Sequence, residues 1–409
     1  MTSGPQVGRE IPAHCRAPID ALKQAISGNT IRLCLESYRG QIGAIVLTGS
    51  LARNEATFVR EDPGWRALGD ADFLVVFDER NPLPQGSAIE RLANRIEQSL
   101  SREGVICHIG LSTVDPAYFR KLPPHIFSYE LRNCAEVVWG SGSVLSLIPG
   151  FSASDIWIEY AWRLLSNRIV EQLEAALHPP SAYYRGVKLY LDMATSFLVF
   201  AGAYEPTYEA RAQRLRSLAE ATGRADRFPF PMQDFSERVN ACTAFKLCGG
   251  DPGELLAGGE TAFWEEAVRY AKLLWHWELS QLLGKHPLPS EGELLRMWMR
   301  AQPFRKKLRG WLFVLRKCGW HRSWQHWPRW AARALRASPR YFVYEAASEL
   351  LFRLPELSQD ARPRPECERL RQLLPLIPNS IHGGKESEWR ELAWQIAWNY
   401  HQFLEGTRT

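Results

Sequence analysis

Two stretches decide how the chain reads: Ile42-Gly43-Ala44-Ile45-Val46-Leu47-Thr48-Gly49-Ser50 and Gly69-Asp70-Ala71-Asp72-Phe73-Leu74-Val75-Val76-Phe77. Ile42–Leu47 is a short apolar, β-branched run ending in Thr-Gly-Ser, the pattern of a buried strand followed by a turn. Phe73–Phe77 reads as a second buried strand. Asp70 and Asp72 lie two apart at its mouth, so both carboxylates share one face, opposite Phe73, Val75 and Phe77. Two acids this close repel each other, and a divalent cation removes that cost. Magnesium takes a few carboxylates together with substrate phosphates, which suits phosphoryl or nucleotidyl transfer. Gly49 and Ser50 offer backbone N–H groups and a hydroxyl to an anion, and glycine allows close approach. Arg53, one turn on, is placed to add a charge-assisted bond. The plainer alternatives are a solvated strand entrance for the acids, a helix N-cap at Gly49-Ser50 and an exposed salt bridge for Arg53.

Working outward, residues 16–39 read as helix, with a break expected at Ser27-Gly28-Asn29. Ala88–Leu100 reads as helix, Val105–Ser112 as a third strand and Glu136–Trp139 as a fourth. From about Ser152 strand-like alternation ceases. Segments 153–177, 184–203, 206–221, 261–284, 291–317, 323–337, 340–353 and 386–404 read as helices. Breaks fall at Pro179-Pro180, Pro229–Pro231, Pro287–Pro289 and Pro363–Pro365. The expected architecture is α+β, a small mixed sheet with helices followed by an all-α region. The expected domains are 1–150, 151–285 and a basic, Trp-rich 286–409.

Thr48-Gly49-Ser50-Leu51-Ala52-Arg53, followed by Gly69-Asp70-Ala71-Asp72-Phe73-Leu74-Val75-Val76, resembles the GS and paired-acid motifs of the polymerase-β-like nucleotidyltransferase superfamily. The order of helix, strand, GS turn, acid-bearing strand, helix and strand agrees. Segment 184–215, with Lys188, Asp192 and Tyr204-Glu205-Pro206-Thr207-Tyr208, is similar to helical domains that follow such domains in bacteria. The resemblance implies a nucleoside triphosphate bound at Gly49, Ser50, Arg53 and Lys188, although a solvated helix face accounts equally for Lys188. It implies one or two Mg²⁺ ions on Asp70 and Asp72, and transfer of a nucleoside monophosphate to an acceptor that the sequence does not name. Two features depart from the pattern. The Ser50–Asp70 spacing is long, so 55–68 reads as an insertion. The family's third acid, on a neighbouring strand, is not evident: His108 falls there, and histidine is a poor magnesium ligand. Glu136 or Asp115 substitutes, or two acids suffice, or the domain is degenerate and binds a nucleotide or partner without chemistry.

The chain has 409 residues, 45% apolar and 23% charged, a globular composition long enough for two or three domains. The N-terminus shows no basic-then-apolar leader. The longest apolar stretch, Met193–Tyr204, is short of the roughly 20 residues a membrane-spanning helix needs. The eight cysteines form no CxxC pair, so no zinc site is expected; Cys107, in an apolar run, reads as a reduced, buried thiol, and the default compartment is the cytoplasm. Net charge is +5, but residues 294–344 hold thirteen Lys or Arg and no Asp or Glu. Six Trp are interleaved with them. Arg305, Arg309 and Arg316 fall on one helical face, and Phe304, Leu308, Trp311, Leu312 and Leu315 on another. A nucleic acid, an anionic membrane or a Trp-filled helical core would each explain the segment. Arg316 and His321 also match the R-x4-H spacing of HEPN-type ribonucleases.

Overall fold

The computed structural model describes residues 17–62, 64–177, 182–221, 228–248, 253, 255–284, 291–319, 327–354, 365–376 and 388–405. The breaks read at Pro179-Pro180 and Pro287–Pro289, together with Pro363, Trp320, His321 and Trp324, lie outside these residues. The protein is mixed α+β, with its strands in the N-terminal part and helices thereafter. Among the described residues no strand follows Gly140.

Helix α1 (Ala17–Ser37) leads into β1 (Ile42–Thr48), the single turn α2 (Gly49–Ala52), β2 (Phe58–Glu61), β3 (Gly64–Ala67) and β4 (Ala71–Phe77). Then follow α3 (Gly86–Arg102), β5 (Val105–Ile106), β6 (Ile109–Val114), α4 (Pro116–Arg120), α5 (Ile126–Cys134) and β7 (Glu136–Gly140). The main sheet has the order β6-β4-β1-β7. Strand β1 runs antiparallel to β4 and β7, and β4 runs parallel to β6. Its two faces bury different side chains, as strand alternation requires. Ile45, Leu47, Phe73, Val75 and Phe77 pack with Leu22 and Ile26 of α1 and with Leu92, Ile96 and Leu100 of α3. Ala44, Val46, Leu74, Val76 and Val114 pack with Phe119 and Leu131.

Several local expectations change. Helix α1 does not break at Ser27-Gly28-Asn29. Thr30 Oγ1 donates to the Ile26 carbonyl at 2.9 Å, and Asn29 Nδ2 donates to the Ala25 carbonyl and to Glu103. The polar side chains therefore bond within the helix or to α3's end instead of competing with the helical ladder. Residues 55–68 are more than an insertion. They carry the antiparallel pair β2 and β3, which joins β5 in a second sheet of order β2-β3-β5. The strand expected over 105–112 is thus two strands in two sheets, divided at Cys107-His108. The helix expected over 291–317 is also two, Glu291–Ala301 and Phe304–Cys318, because Pro303 has no N–H to continue the ladder. Helices Met232–Cys248 and Pro365–Leu373 were not anticipated.

The chain divides into two compact units, and the division is not linear. One comprises Met1–Trp157, Ala201–Ser217 and Ser236–Glu254, the other Ile158–Phe200, Leu218–Phe235 and Leu255–Thr409. The second has an aromatic core: Trp162 stacks on Tyr341 at 5.8 Å and meets Trp275, Trp298 and Tyr344 edge-on or tilted. Trp311 and Trp330 are buried as well, and Trp311 Nε1 donates to the Ala337 carbonyl at 2.8 Å. These tryptophans are core, as one of the three sequence readings had it.

Candidate functional site

One face of the main sheet changes character along its length. On β1 the residues of this face run Ala44, Val46, Thr48; on β4 they run Val76, Leu74, Asp72; on β6 they run Val114, Ser112, Gly110. The apolar ends are buried by α4 and α5. The opposite ends bring Thr48, Asp72 and Gly110 into one row, since Thr48 pairs with Asp72 and Asp72 with Gly110. Asp70 and Asp72 are exposed while Ala71 and Phe73 are buried, so the two acids do alternate with the core as expected.

Two glycines make room for Asp72. A Cβ on Gly110 would lie 2.3 Å from Asp72 Oδ1, and one on Gly49 would lie 3.3 Å from Oδ2. Gly49 also takes φ +70°, a left-handed conformation that a side chain disfavours. The carboxylate therefore rests over bare backbone, flanked by the GS turn. Thr48 caps that turn with no side-chain hydrogen bond, so no side chain of the cap competes for its leading N–H groups. Ser50 is half-buried and its hydroxyl bonds no described residue. A four-residue turn carries little dipole, so an anion placed here would depend on N–H donors and the Ser50 hydroxyl.

The residues considered for a third acid have other tasks. The parallel register sets Gly110, not His108, beside Asp72. His108 is largely exposed, its Nδ1 2.7 Å from Glu97 Oε1, which also accepts the Ile109 N–H at 2.9 Å. Its carbonyl accepts from Ala71 N, between the two acids. Glu136 pairs with Leu47, on the side of the sheet covered by α1, and ion-pairs with Lys23 at 2.6 Å. Asp115 caps α4, accepting from Tyr118 N at 2.9 Å. Among the described residues no three His, Cys, Asp or Glu gather to hold a metal ion. The donor set is two all-oxygen carboxylates, which fits a magnesium ion completed by phosphate and water but not a metal caged by protein alone. Nearby, Cys107's thiol is pushed up to about 12. Burial is the main cause; a backbone hydrogen bond from Ala71 opposes it, and Asp70, Glu97 and Asp72 add to it. It is a structural thiol rather than a nucleophile.

Arg53 is engaged elsewhere. Its Nε lies 2.7 Å from Glu55 Oε2 and its Nη1 2.8 Å from Glu130 Oε2, with the side chain buried. Glu130 also accepts from Tyr204 Oη at 2.5 Å and from Arg211, while Glu55 accepts the Tyr208 N–H at 2.6 Å. Burial works against the charge of Arg53, but Glu130, Tyr208 and Glu55 outweigh it and hold the guanidinium firmly protonated. Arg53 thus anchors the end of the GS turn instead of reaching for phosphate. Lys188 sits on helix Ala182–Phe200 in the second unit, its ammonium 5.2 Å from the Tyr184 ring centre. Sequence reasoning missed Gly110, Glu55, Glu130 and Arg211. A glycine inside a strand was the available signal for the first; the others meet across 77 to 153 residues, and no local pattern marks them.

Comparison with protein-family models, with curated proteins and with solved structures returned no match.

Proposed function

We propose that the chain is a Mg²⁺-dependent nucleotidyltransferase that moves a nucleoside monophosphate from a nucleoside triphosphate to an acceptor hydroxyl. The observation that carries the reading is the Asp72 carboxylate seated over Gly110 and against Gly49, the first residue of the GS turn, with Asp70 exposed two residues before it. Asp70 and Asp72 would hold the cation. Magnesium, when bound, would neutralise triphosphate charge and make the acceptor hydroxyl easier to deprotonate. Gly49 and Ser50 would receive phosphate oxygens through backbone N–H and hydroxyl donors. In the transfer, the acceptor oxygen bonds to the α-phosphorus, pyrophosphate leaves, and the acceptor proton passes to solvent. A cytoplasmic setting, rich in nucleoside triphosphates, suits this chemistry.

A second reading, nucleotide binding without transfer, is favoured by one observation: Gly110 stands beside Asp72 where a further carboxylate would complete the set. One experiment separates the two. The full chain is incubated with each α-labelled nucleoside triphosphate and Mg²⁺, and pyrophosphate release and label transfer are followed with Mg²⁺-dependent binding. Transfer that Asp70→Asn and Asp72→Asn each reduce at least ~100-fold, with unchanged thermal melting, is the expected result. Binding without turnover supports the second reading. Full activity in the double variant sinks the site assignment.

A further inference from the structure

Helix Phe304–Cys318 packs on the rest of its unit through Lys307, Trp311 and Val314, all buried. Phe313 packs on Phe403, and four other apolar residues face outward. Phe304 is 61% exposed, Leu308 44% and Leu312 47%, and Leu315 is half-exposed on the following turn. The spacing of 304, 308, 312 and 315 makes one continuous stripe along the helix. Leu335, 73% exposed, is tied to this helix: its carbonyl accepts from Lys307 Nζ. Along the stripe runs a ridge of Arg305, Arg309 and Arg316, all exposed, with no hydrogen bond or ion pair to any described residue. Lys306, by contrast, is paired with Glu159 at 2.8 Å.

We propose that this face docks the protein on the surface of an anionic lipid bilayer. The stripe enters the boundary between headgroups and acyl chains, and the arginine ridge meets the anionic headgroups. Charge complementarity selects the occupant. Residues 294–344 contain thirteen cations and no acid, so the surface calls for a negative partner. A nucleic acid satisfies the arginines but has no use for a stripe of leucines. Of the described tryptophans of this segment, Trp311 and Trp330 are buried, which leaves Phe304 as the exposed ring of this helix rather than a row of rings for successive bases. A second copy of the chain would bring a second arginine ridge to the first. A lipid surface satisfies both halves of the face. Among the described residues no helix is long and apolar enough to cross the membrane, so the attachment is to its surface. The proposal is independent of the transfer site.

The test is co-sedimentation of the full chain with vesicles of phosphatidylcholine containing phosphatidylglycerol, against vesicles of phosphatidylcholine alone. The protein should pellet with the anionic vesicles and much less with the neutral ones, the difference shrinking as salt rises. Arg305→Gln, Arg309→Gln and Arg316→Gln together should weaken binding on the order of a hundredfold, at about one charge's worth of attraction each. Leu308→Gln with Leu312→Gln should weaken it more than ~10-fold, since both lose burial in lipid. Both variants change exposed residues, so their thermal melting should match the parent's. Equal binding to the two vesicle types, or full binding by the leucine variant, would overturn the proposal. So would salt-sensitive binding to a single-stranded oligonucleotide without vesicle binding, or loss of a dimer as the only effect of the leucine variant.

Discussion

Gly110 separates the site from the fold. A Cβ there would stand 2.3 Å from Asp72 Oδ1, so Gly110→Ala must displace the carboxylate. The displaced atom is the end of an exposed side chain, and the glycine backbone lies in an ordinary strand. Stability should therefore change by less than ~1 kcal/mol, with reduced unfolded-state freedom offsetting the contact. If the proposed site holds a metal–nucleotide, its Mg²⁺-dependent binding should fall at least ~10-fold, because the carboxylate oxygen no longer occupies its place. Titration calorimetry beside a thermal melt checks both halves, and unaltered binding would remove Asp72 from the site. Glu278, in the second unit, makes the opposite case of a polar residue without a site. It is fully buried, accepts from Ser196 Oγ at 2.6 Å, and its Oε2 bonds no described residue. Burial pushes its carboxyl well above the ordinary range, with the Ser196 hydrogen bond opposing. The unfolded chain releases that proton above its ordinary value of 4.5 while the folded chain keeps it, so stability is lost as pH rises from there towards the folded value. Glu278→Gln escapes this loss. It should be more stable than the parent at pH 7 and converge with it below pH 4.5. Denaturant melts across pH measure the gap, and a constant gap would show that Glu278 does not titrate on unfolding.

Elements were legible where one face of one segment carried the pattern. Strands β1 and β4 read directly because each is an apolar run bounded by candidate-site residues, Gly49-Ser50 after the first and Asp70-Asp72 before the second. Helix α3 read because Ile89, Leu92, Ala93, Ile96 and Leu100 recur at helical spacing and are all buried. The helix Phe304–Cys318 read as amphipathic, but which of its faces is buried was illegible: Trp311 turns inward while Phe304, Leu308 and Leu312 turn out. That choice belongs to the partners, not to the helix. Helix α5 and the buried charges it anchors were invisible for the same reason, since Glu130 gains meaning only beside Arg53 and Arg211. Removing one member of such a group leaves buried charge uncompensated. Glu130→Gln should therefore cost about 3 kcal/mol or more. Breaking the exposed Arg120–Glu79 pair at 2.6 Å should cost less than ~1 kcal/mol. Chemical denaturation of the two variants side by side checks the contrast, and equal small losses would mean the buried group contributes no net stability.

At the scale of the whole chain, three domains were expected, 1–150, 151–285 and 286–409, and the chain divides into two compact units with other boundaries. A division at residue 150 follows the end of the strands, yet the first unit takes back Ala201–Ser217 and Ser236–Glu254. The ties are specific. Tyr204 and Arg211 close on Glu130, the Tyr208 N–H donates to Glu55, and the Thr57 hydroxyl donates to the Lys246 carbonyl at 2.6 Å across 189 residues. No periodicity or composition shift announces contacts at that separation. A fragment of residues 1–157 should accordingly fail as an independent domain. It contains the complete main sheet, but it leaves Glu130 without Arg211 and Tyr204, Glu55 without the Tyr208 N–H, and Thr57 without its acceptor. Each loss strands a buried polar or charged group, at about 1–3 kcal/mol apiece and more for the charges. Together they approach the whole stability of an ordinary domain, about 5–15 kcal/mol. The fragment should show strand and helix circular dichroism without a cooperative thermal transition, and rapid proteolysis where the full chain resists. Adding Glu130→Gln to it should cost less than in the full chain, because Arg211 and Tyr204 are gone and Arg53 is the partner that remains. A fragment that melts cooperatively at the full chain's temperature would restore the linear division and show that the returning segments decorate a finished fold.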